Sequence, residues 1–180
     1  MQFIKTPIQD LYQIQPKIWT DNRGYFYESY NQKIFEDQGI STIFNQDNQS
    51  YSQKGTLRGL HFQNPPFEQD KLVRVIKGAV IDVAVDIRKH SPTFGQHFAI
   101  ELNETNQTMF LVPAGFAHGF YTLTDNTIFA YKCSNFYDKK SEGGIIWNDK
   151  TLNINWGEGE KIISEKDQIL PSFKDFISQF

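Results

Sequence analysis

From Val80 to Arg88 the chain alternates with period two: Ile81, Val83, Val85 and Ile87 fall on one side, and Asp82, Ala84, Asp86 and Arg88 on the other. Successive side chains of an extended backbone point to opposite faces, so this pattern predicts a strand with one apolar and one polar face and excludes a comfortable helix. Shorter runs of the same character occur at Phe98–Leu102, Met109–Val112, Phe120–Leu123 and Thr127–Cys133. Turn-forming clusters separate them, at His90-Ser91-Pro92-Thr93, Asn103-Glu104-Thr105-Asn106 and Thr124-Asp125-Asn126. Short strands spaced in this way argue for a mainly β sandwich or barrel rather than alternating strand–helix units.

Helix is expected only in short pieces. Asn31 to Gln38 reads as one, with an asparagine cap and Gly39 as its stop. A second is expected at the end of the chain. There Ser172 can cap after Pro171, Asp175 lies three residues on, and Phe173, Phe176, Ile177 and Phe180 recur at helical spacing.

With 180 residues, 39% of them apolar and 15% aromatic, the chain suits one domain with a sizeable core, taken as residues 1–180. A net charge of −3 without any block of Lys or Arg lacks the electrostatic footprint of a nucleic-acid or membrane-surface protein. An anionic ligand must therefore meet locally placed cations. The single cysteine, Cys133, forms no internal disulfide and suits a reducing compartment. Neither a leader-like start nor a bilayer-length apolar run is evident, so a cytoplasmic location is expected.

One segment carries the chemistry. Arg58-Gly59-Leu60-His61-Phe62-Gln63 and Gln69-Asp70-Lys71-Leu72-Val73 set an arginine, a histidine and a lysine around a Gly/Pro-punctuated turn between apolar runs. An imidazole can take a proton from carbon near neutral pH, and a lysine nearby can offset the charge left behind. Read by itself, the segment fits equally a core histidine satisfied by backbone and two solvated cations.

That segment falls among many others that occur in order. They are Asp21-Asn22-Arg23-Gly24-Tyr25-Phe26-Tyr27-Glu28-Ser29-Tyr30, Gln46-Asp47-Asn48, Lys71-Leu72-Val73-Arg74, Asp82 to Arg88, Ser91-Pro92-Thr93-Phe94-Gly95, Pro113-Ala114-Gly115-Phe116-Ala117-His118-Gly119-Phe120, Tyr131-Lys132, Trp147-Asn148-Asp149 and Ser164-Glu165-Lys166-Asp167. Together they resemble the dTDP-4-dehydrorhamnose 3,5-epimerases over nearly the whole chain. The resemblance implies a cupin-type jelly roll or β-barrel. It also implies a homodimer in which an N-terminal segment crosses to the partner, no cofactor, and a place in making dTDP-L-rhamnose for surface polysaccharide.

It further implies roles for individual residues. Epimerisation beside a carbonyl needs a base on one face of the sugar, an acid on the other, and a group that stabilises the enolate oxygen. His61 matches the family's base, Tyr131 its opposite-face acid, Lys71 the lysine at the carbonyl, and Asp167 the carboxylate that orients His61. Arg23, Arg58 and Lys166 match positions near the diphosphate, and Glu28 and a Gln46-Asp47-Asn48 turn positions near the nucleoside. Tyr137 matches the thymine-stacking position, Phe26 an aromatic wall, and His118 and Glu142 further ligand contacts. Blander readings stand beside these. Ser164-x-x-Asp167 is also a capping-box pattern, and Tyr131, in step with Phe129 and Cys133, fits a core strand aromatic.

Metal-binding cupins use His-x-His, a carboxylate, and a histidine in a Pro-x-Gly-x-x-His turn. Only the turn ending at His118 is intact here; His61-Phe62-Gln63 offers one histidine, and the cationic Lys71 stands where an acidic ligand would be sought. His90 and His97 fall outside both motifs, so no metal is expected. The alternatives to the 3,5-epimerase reading are an epimerase of one carbon only, or of another nucleotide-linked keto sugar, and a non-catalytic sugar-nucleotide binding module.

Overall fold

The computed structural model describes residues 1–180. The first strands are β1 (Gln2–Lys5), β2 (Tyr12–Gln15), β3 (Trp19–Asp21) and β4 (Gly24–Phe26), followed by helix α1 (Gln32–Glu36). Then come β5 (Gln46–Ser52), β6 (Thr56–Gln63), β7 (Lys71–Lys77), β8 (Ala79–Asp86), β9 (His97–Asn103), β10 (Met109–Val112), β11 (Phe116–Thr122) and β12 (Thr127–Cys133). The chain closes with β13 (Glu142–Gly144), β14 (Ile162–Ile163) and helix α2 (Glu165–Gln168). One sheet has the order β1-β2-β10-β7-β12-β5; the other runs β13-β6-β11-β8-β9, with β14 parallel beside β6. A separate two-stranded sheet is formed by β3 and β4. The two large sheets face each other as a cupin-like sandwich.

Between them lies a core of Val73, Val75, Phe110, Val112 and Phe129 from the first sheet against Val80, Ala84, Leu102, Phe116 and Phe120 from the second. The outer face of the first sheet is covered at Leu72, Met109 and Leu111 by Phe35 of α1 and neighbouring aromatics. The outer face of the second, at Leu57, Leu60, Phe62, Val83 and Val85, is covered by the C-terminal segment through Phe173, Phe176 and Phe180. Each sheet is thus covered over part of its outer face as well as on its inner one.

This burial corrects the expectation for Val80–Arg88. Its even-numbered side, read as polar, faces the space between the sheets, where Asp82 and Asp86 are both 0% exposed. Period two identifies the faces of a strand but not what covers them. Asp86 is satisfied there by Arg88, Ser91 and Thr93, whose side chains donate to it at 2.6–3.0 Å.

The short helix after Asn31 forms as expected: the Asn31 side chain accepts from the Ile34 N–H, and Gly39 takes a left-handed φ of +79°. The expected helix at Ser172–Phe180 does not form. Ser172 and Asp175 bond each other across one turn, and the backbone beyond pairs with the barrel instead, Phe180 O accepting from Lys89 N–H at 3.1 Å and Ser178 Oγ donating to Ile87 O. The aromatic residues still dock, while Ile177 is 84% exposed. The helix near the C-terminus is α2. No helix of the chain is long and apolar enough to cross a membrane.

Candidate active site

At one end the space between the sheets opens into a cavity of about 510 Å³. The second sheet lines it with Arg58 and His61 of β6 and His118 of β11, the first with Lys71 of β7 and Phe129 and Tyr131 of β12; Ser164, Lys166 and Asp167 edge it from α2 and its cap. It continues into a hollow of about 150 Å³ that shares His61, Lys71 and Tyr131 and adds Gln46, Asn48, Tyr137 and Glu142.

Arg58 and His61 are three residues apart, so a regular strand would turn them to opposite faces. A bulge brings both inward: His118 stands opposite His61 and Phe120 opposite Arg58, so two steps of β11 match three of β6. The extra residue falls at Gly59, whose φ of +137° suits glycine, and a Cβ there would lie 2.6 Å from Gly119 Cα.

Asp167 answers the choice between cap and partner by serving both. Its N–H bonds the Ser164 hydroxyl at 3.2 Å, which starts α2. Its carboxylate, instead of reaching back to the cap, accepts from His61 Nε2 at 2.7 Å and from the Gly59 N–H at 3.3 Å. Burial pushes this carboxyl up, but the His61 hydrogen bond and charge, the Gly59 N–H and Lys166 hold it below the ordinary aspartate value. With Nε2 facing a carboxylate, the ring hydrogen belongs there and Nδ1 is the free acceptor.

Lys71 takes part in none of the chain's ion pairs. Burial draws its ammonium below the usual lysine value, opposed by the nearby Cys133 and, less strongly, by Asp82 and Glu142. Tyr131 is pushed the other way, above the ordinary phenol value, chiefly by burial, so it keeps its proton at neutral pH. His61 and Tyr131 thus reach the same cavity from opposite sheets.

The second hollow gathers another group. Glu142 accepts from the Tyr137 hydroxyl at 3.0 Å and from the Lys166 ammonium, tying β13 to α2. Gln46 Nε2 donates to Asn48 Oδ1 at 3.0 Å, and both lie on strand β5, not in the turn expected. Alternation along that strand sends Asp47 to the outer face, where it pairs with Lys132 at 2.9 Å. The structure does not bring four other-placed residues into the cavity together with His61: besides Asp47, Glu28 accepts from Asn31 Nδ2 at 2.9 Å beside α1, while Arg23, paired with Asp21, and Phe26 sit on the β3–β4 hairpin. Phe26 is 67% exposed.

One residue of consequence was not among the candidates. Asp82 holds His118 Nε2 with both oxygens, at 2.8 and 3.0 Å. The available signal was an aspartate inside a strand otherwise rich in Val and Ile. No three His, Cys, Asp or Glu side chains converge as a metal site would require. The arrangement can move a proton from one side of a bound ring to the other and can hold an oxyanion at a cation.

Comparison with known proteins agrees with this chemistry. The family model described as dTDP-4-dehydrorhamnose 3,5-epimerase matches residues 5–175. A protein of that name from Shigella flexneri is 51% identical over 168 residues, covering 93% of each chain. The crystal structure of the enzyme of that name from Elizabethkingia anophelis superposes with a TM-score of 0.94 at 50% identity, over 97% of both chains. A structure from Legionella pneumophila, a dTDP-6-deoxy-D-glucose-3,5-epimerase in complex with dTDP-4-keto-L-rhamnose, has a TM-score of 0.94 at 47% identity, over 98% of this chain and 94% of that one. With its fold, its motifs and nearly its full length in common with these proteins, the chain belongs to the dTDP-4-dehydrorhamnose 3,5-epimerase family.

Proposed function

We propose that this chain is an isomerase that inverts C3 and C5 of dTDP-4-dehydro-6-deoxy-D-glucose to give dTDP-4-dehydro-L-rhamnose, a step toward dTDP-L-rhamnose. The observation that carries the reading is the His61–Asp167 pair, 2.7 Å apart, in one cavity with Tyr131 and Lys71 of the opposite sheet.

The 4-keto group acidifies the hydrogens at C3 and C5, because the electron pair left behind spreads onto O4. His61 Nδ1 takes the proton, and the Lys71 ammonium donates to the enolate oxygen. Tyr131 then returns its hydroxyl proton to the opposite face of the same carbon. Its phenolate regains a proton from solvent while His61 gives one up, so the reaction consumes nothing. Asp167 holds the base in one tautomer throughout.

Arg58 and Lys166 serve the diphosphate, Gln46 and Asn48 the nucleoside, Tyr137 stacks on thymine, and His118 and Glu142 make further contacts to the ligand. The chain acts as a single domain and as a homodimer, in which the N-terminal segment carries Arg23, Phe26 and Glu28 toward the partner's cavity. In support, Trp19, Tyr25 and Phe26 are 46%, 59% and 67% exposed, more aromatic surface than a lone hairpin leaves in water. The reaction needs no cofactor and survives exhaustive chelation. The single unpaired thiol of Cys133 fits work in the reducing cytoplasm.

The test follows solvent deuterium by NMR in purified protein given the keto sugar. Incorporation at both carbons with inversion is expected. Exchange at one carbon only would make the protein a single-centre epimerase, and no exchange at either would leave a binding module.

A further inference from the structure

Two loops border the smaller hollow: 64–70, between β6 and β7, and 134–141, between β12 and β13. The second carries Tyr137, and burial does not hold it in place, since Phe136 and Tyr137 are 63% and 57% exposed. A segment with so little apolar contact keeps one shape through its polar ties. Some of these join the loops to each other: Gln69 Nε2 donates to Asn135 O at 2.7 Å, and the Asp70 N–H donates to Ser134 Oγ at 2.8 Å. Others converge on one side chain. Gln63, 4% exposed, ends β6 two residues beyond His61 and lines the same hollow from the same face of the strand. Its amide nitrogen donates to Phe136 O at 3.1 Å and to Phe67 O, and its Oε1 accepts from the Asp138 N–H at 2.8 Å. Phe136 and Asp138 are the two residues that flank Tyr137. Two carbonyls and one N–H match the two hydrogens and one oxygen of a primary amide. A carboxylate or an apolar side chain of that size would leave the carbonyls without donors, at the cost of an unmet buried polar group.

We propose that Gln63 is a positioning residue for the nucleotide: it clamps the chain on both sides of Tyr137, so that the phenol ring stands at a fixed place relative to His61 and receives the planar base of a nucleoside diphosphate. The inference rests on the reading that Tyr137 stacks on that base. Both amide hydrogens of Gln63 are already bonded to main chain, so it acts through the loop. The far end of the ring is held separately, by the hydrogen bond from its hydroxyl to Glu142 at 3.0 Å. A platform ordered before the ligand arrives lowers the entropy lost on binding. Because one strand carries both His61 and the clamp, the base end of the ligand and its reacting sugar are referred to the same backbone.

The experiment is calorimetric titration of the full-length protein with dTDP and, separately, with inorganic pyrophosphate. In Gln63→Met, affinity for dTDP should fall at least about fivefold, the low end of what stacking one base on an aromatic ring contributes. Affinity for pyrophosphate should stay within about twofold of the parent, the scatter expected for independent sites. Tyr137→Ala should show the same split, and adding Gln63→Met to it should change dTDP affinity by less than about twofold, because the clamp then has no ring to place. Unchanged dTDP affinity in Gln63→Met, with Tyr137→Ala weakened, overturns the proposal alone. An equal loss for both probes also overturns it, since the damage would then reach the whole site, and so does a full fivefold loss on top of Tyr137→Ala. Parental dTDP affinity in Tyr137→Ala refutes the stacking reading and the proposal with it. If Gln63→Met does not fold, Gln63→Glu, which keeps the oxygen and removes the donors, decides by the same measurements. No turnover is involved, so the outcome is independent of whether the parent exchanges deuterium.

Discussion

His61 and Asp167 stand 106 residues apart in the chain and 2.7 Å apart in space, Nε2 to Oδ1. The aspartate is only 3% exposed and is carried by the first turn of a four-residue helix that packs against β6. Because its folded carboxyl lies below the ordinary value, the contribution it makes to stability is present above the usual aspartate range and is lost as pH falls through the lowered value. Asp167→Asn should therefore show a shallower loss of stability between about pH 5 and 2 in acid titrations followed by circular dichroism. Turnover should fall by roughly 10³–10⁴, as when other His–Asp pairs lose the carboxylate. Unchanged activity per folded molecule would reduce Asp167 to a helix-capping residue.

Tyr131→Phe separates proton removal from proton return. His61 and Lys71 remain, so deuterium should still enter from solvent, but configuration should seldom invert. Exchange should outpace epimer formation by at least about tenfold, at the low end of the value of a positioned acid. Equal loss of both rates would show that the phenol helps form the enolate.

Arg23 belongs to a hairpin apart from its own chain's cavity, and its side chain is 85% exposed. If the hairpin serves a second copy, Arg23→Ala and His61→Ala proteins should each be impaired, and mixing them under conditions that exchange subunits should restore activity. A mixed dimer carries one site with both His61 and Arg23. Absence of recovery, with exchange of subunits verified by mass, would place Arg23 in the site of its own chain or outside any site.

At Gly59 an added Cβ would meet Gly119 Cα at 2.6 Å and His118 O at 3.0 Å, both backbone. Neither atom can step aside without moving β11. Gly59→Ala should destabilise the protein by about 3 kcal/mol or more, measured by urea unfolding, and should displace both Arg58 and His61. A variant within about 0.5 kcal/mol of the parent would mean that the bulge can relax.

Asp86 is fully buried and held by Arg88, Ser91 and Thr93. Burial pushes its carboxyl up, but these donors hold it below the usual aspartate value, so the stability it supplies exists above the usual range and disappears as pH falls through the lowered one. Asp86→Asn should cost on the order of 3 kcal/mol at pH 7 by chemical denaturation, and the difference from the parent should narrow below about pH 4. A constant difference across that range would show that hydrogen bonding, not charge, makes the contribution.

Local pattern alone determined the β character of the chain, its strands at Met109–Val112 and Thr127–Cys133, and the capped helix after Asn31. These depend on neighbours within a turn or a pleat, and the side chains that decide them are adjacent in sequence. The residues proposed to do the chemistry were legible only through the family resemblance of the motifs that carry them, since local pattern alone fits Tyr131 equally to a core strand aromatic. Tertiary structure decided what those patterns faced. The even side of β8 became the interior because a second sheet lies over it, so Asp82 and Asp86 are core residues rather than surface ones. The aromatic spacing after Pro171 was met by docking on the second sheet, with backbone partners on the barrel rim in place of a helix. Arg58 and His61 share a cavity only because a bulge against β11 adds one residue, and Asp167 reaches His61 only because the chain returns past β6 at its end. Register, closure and long-range pairing depend on residues tens of positions apart, whose proximity no local alternation encodes.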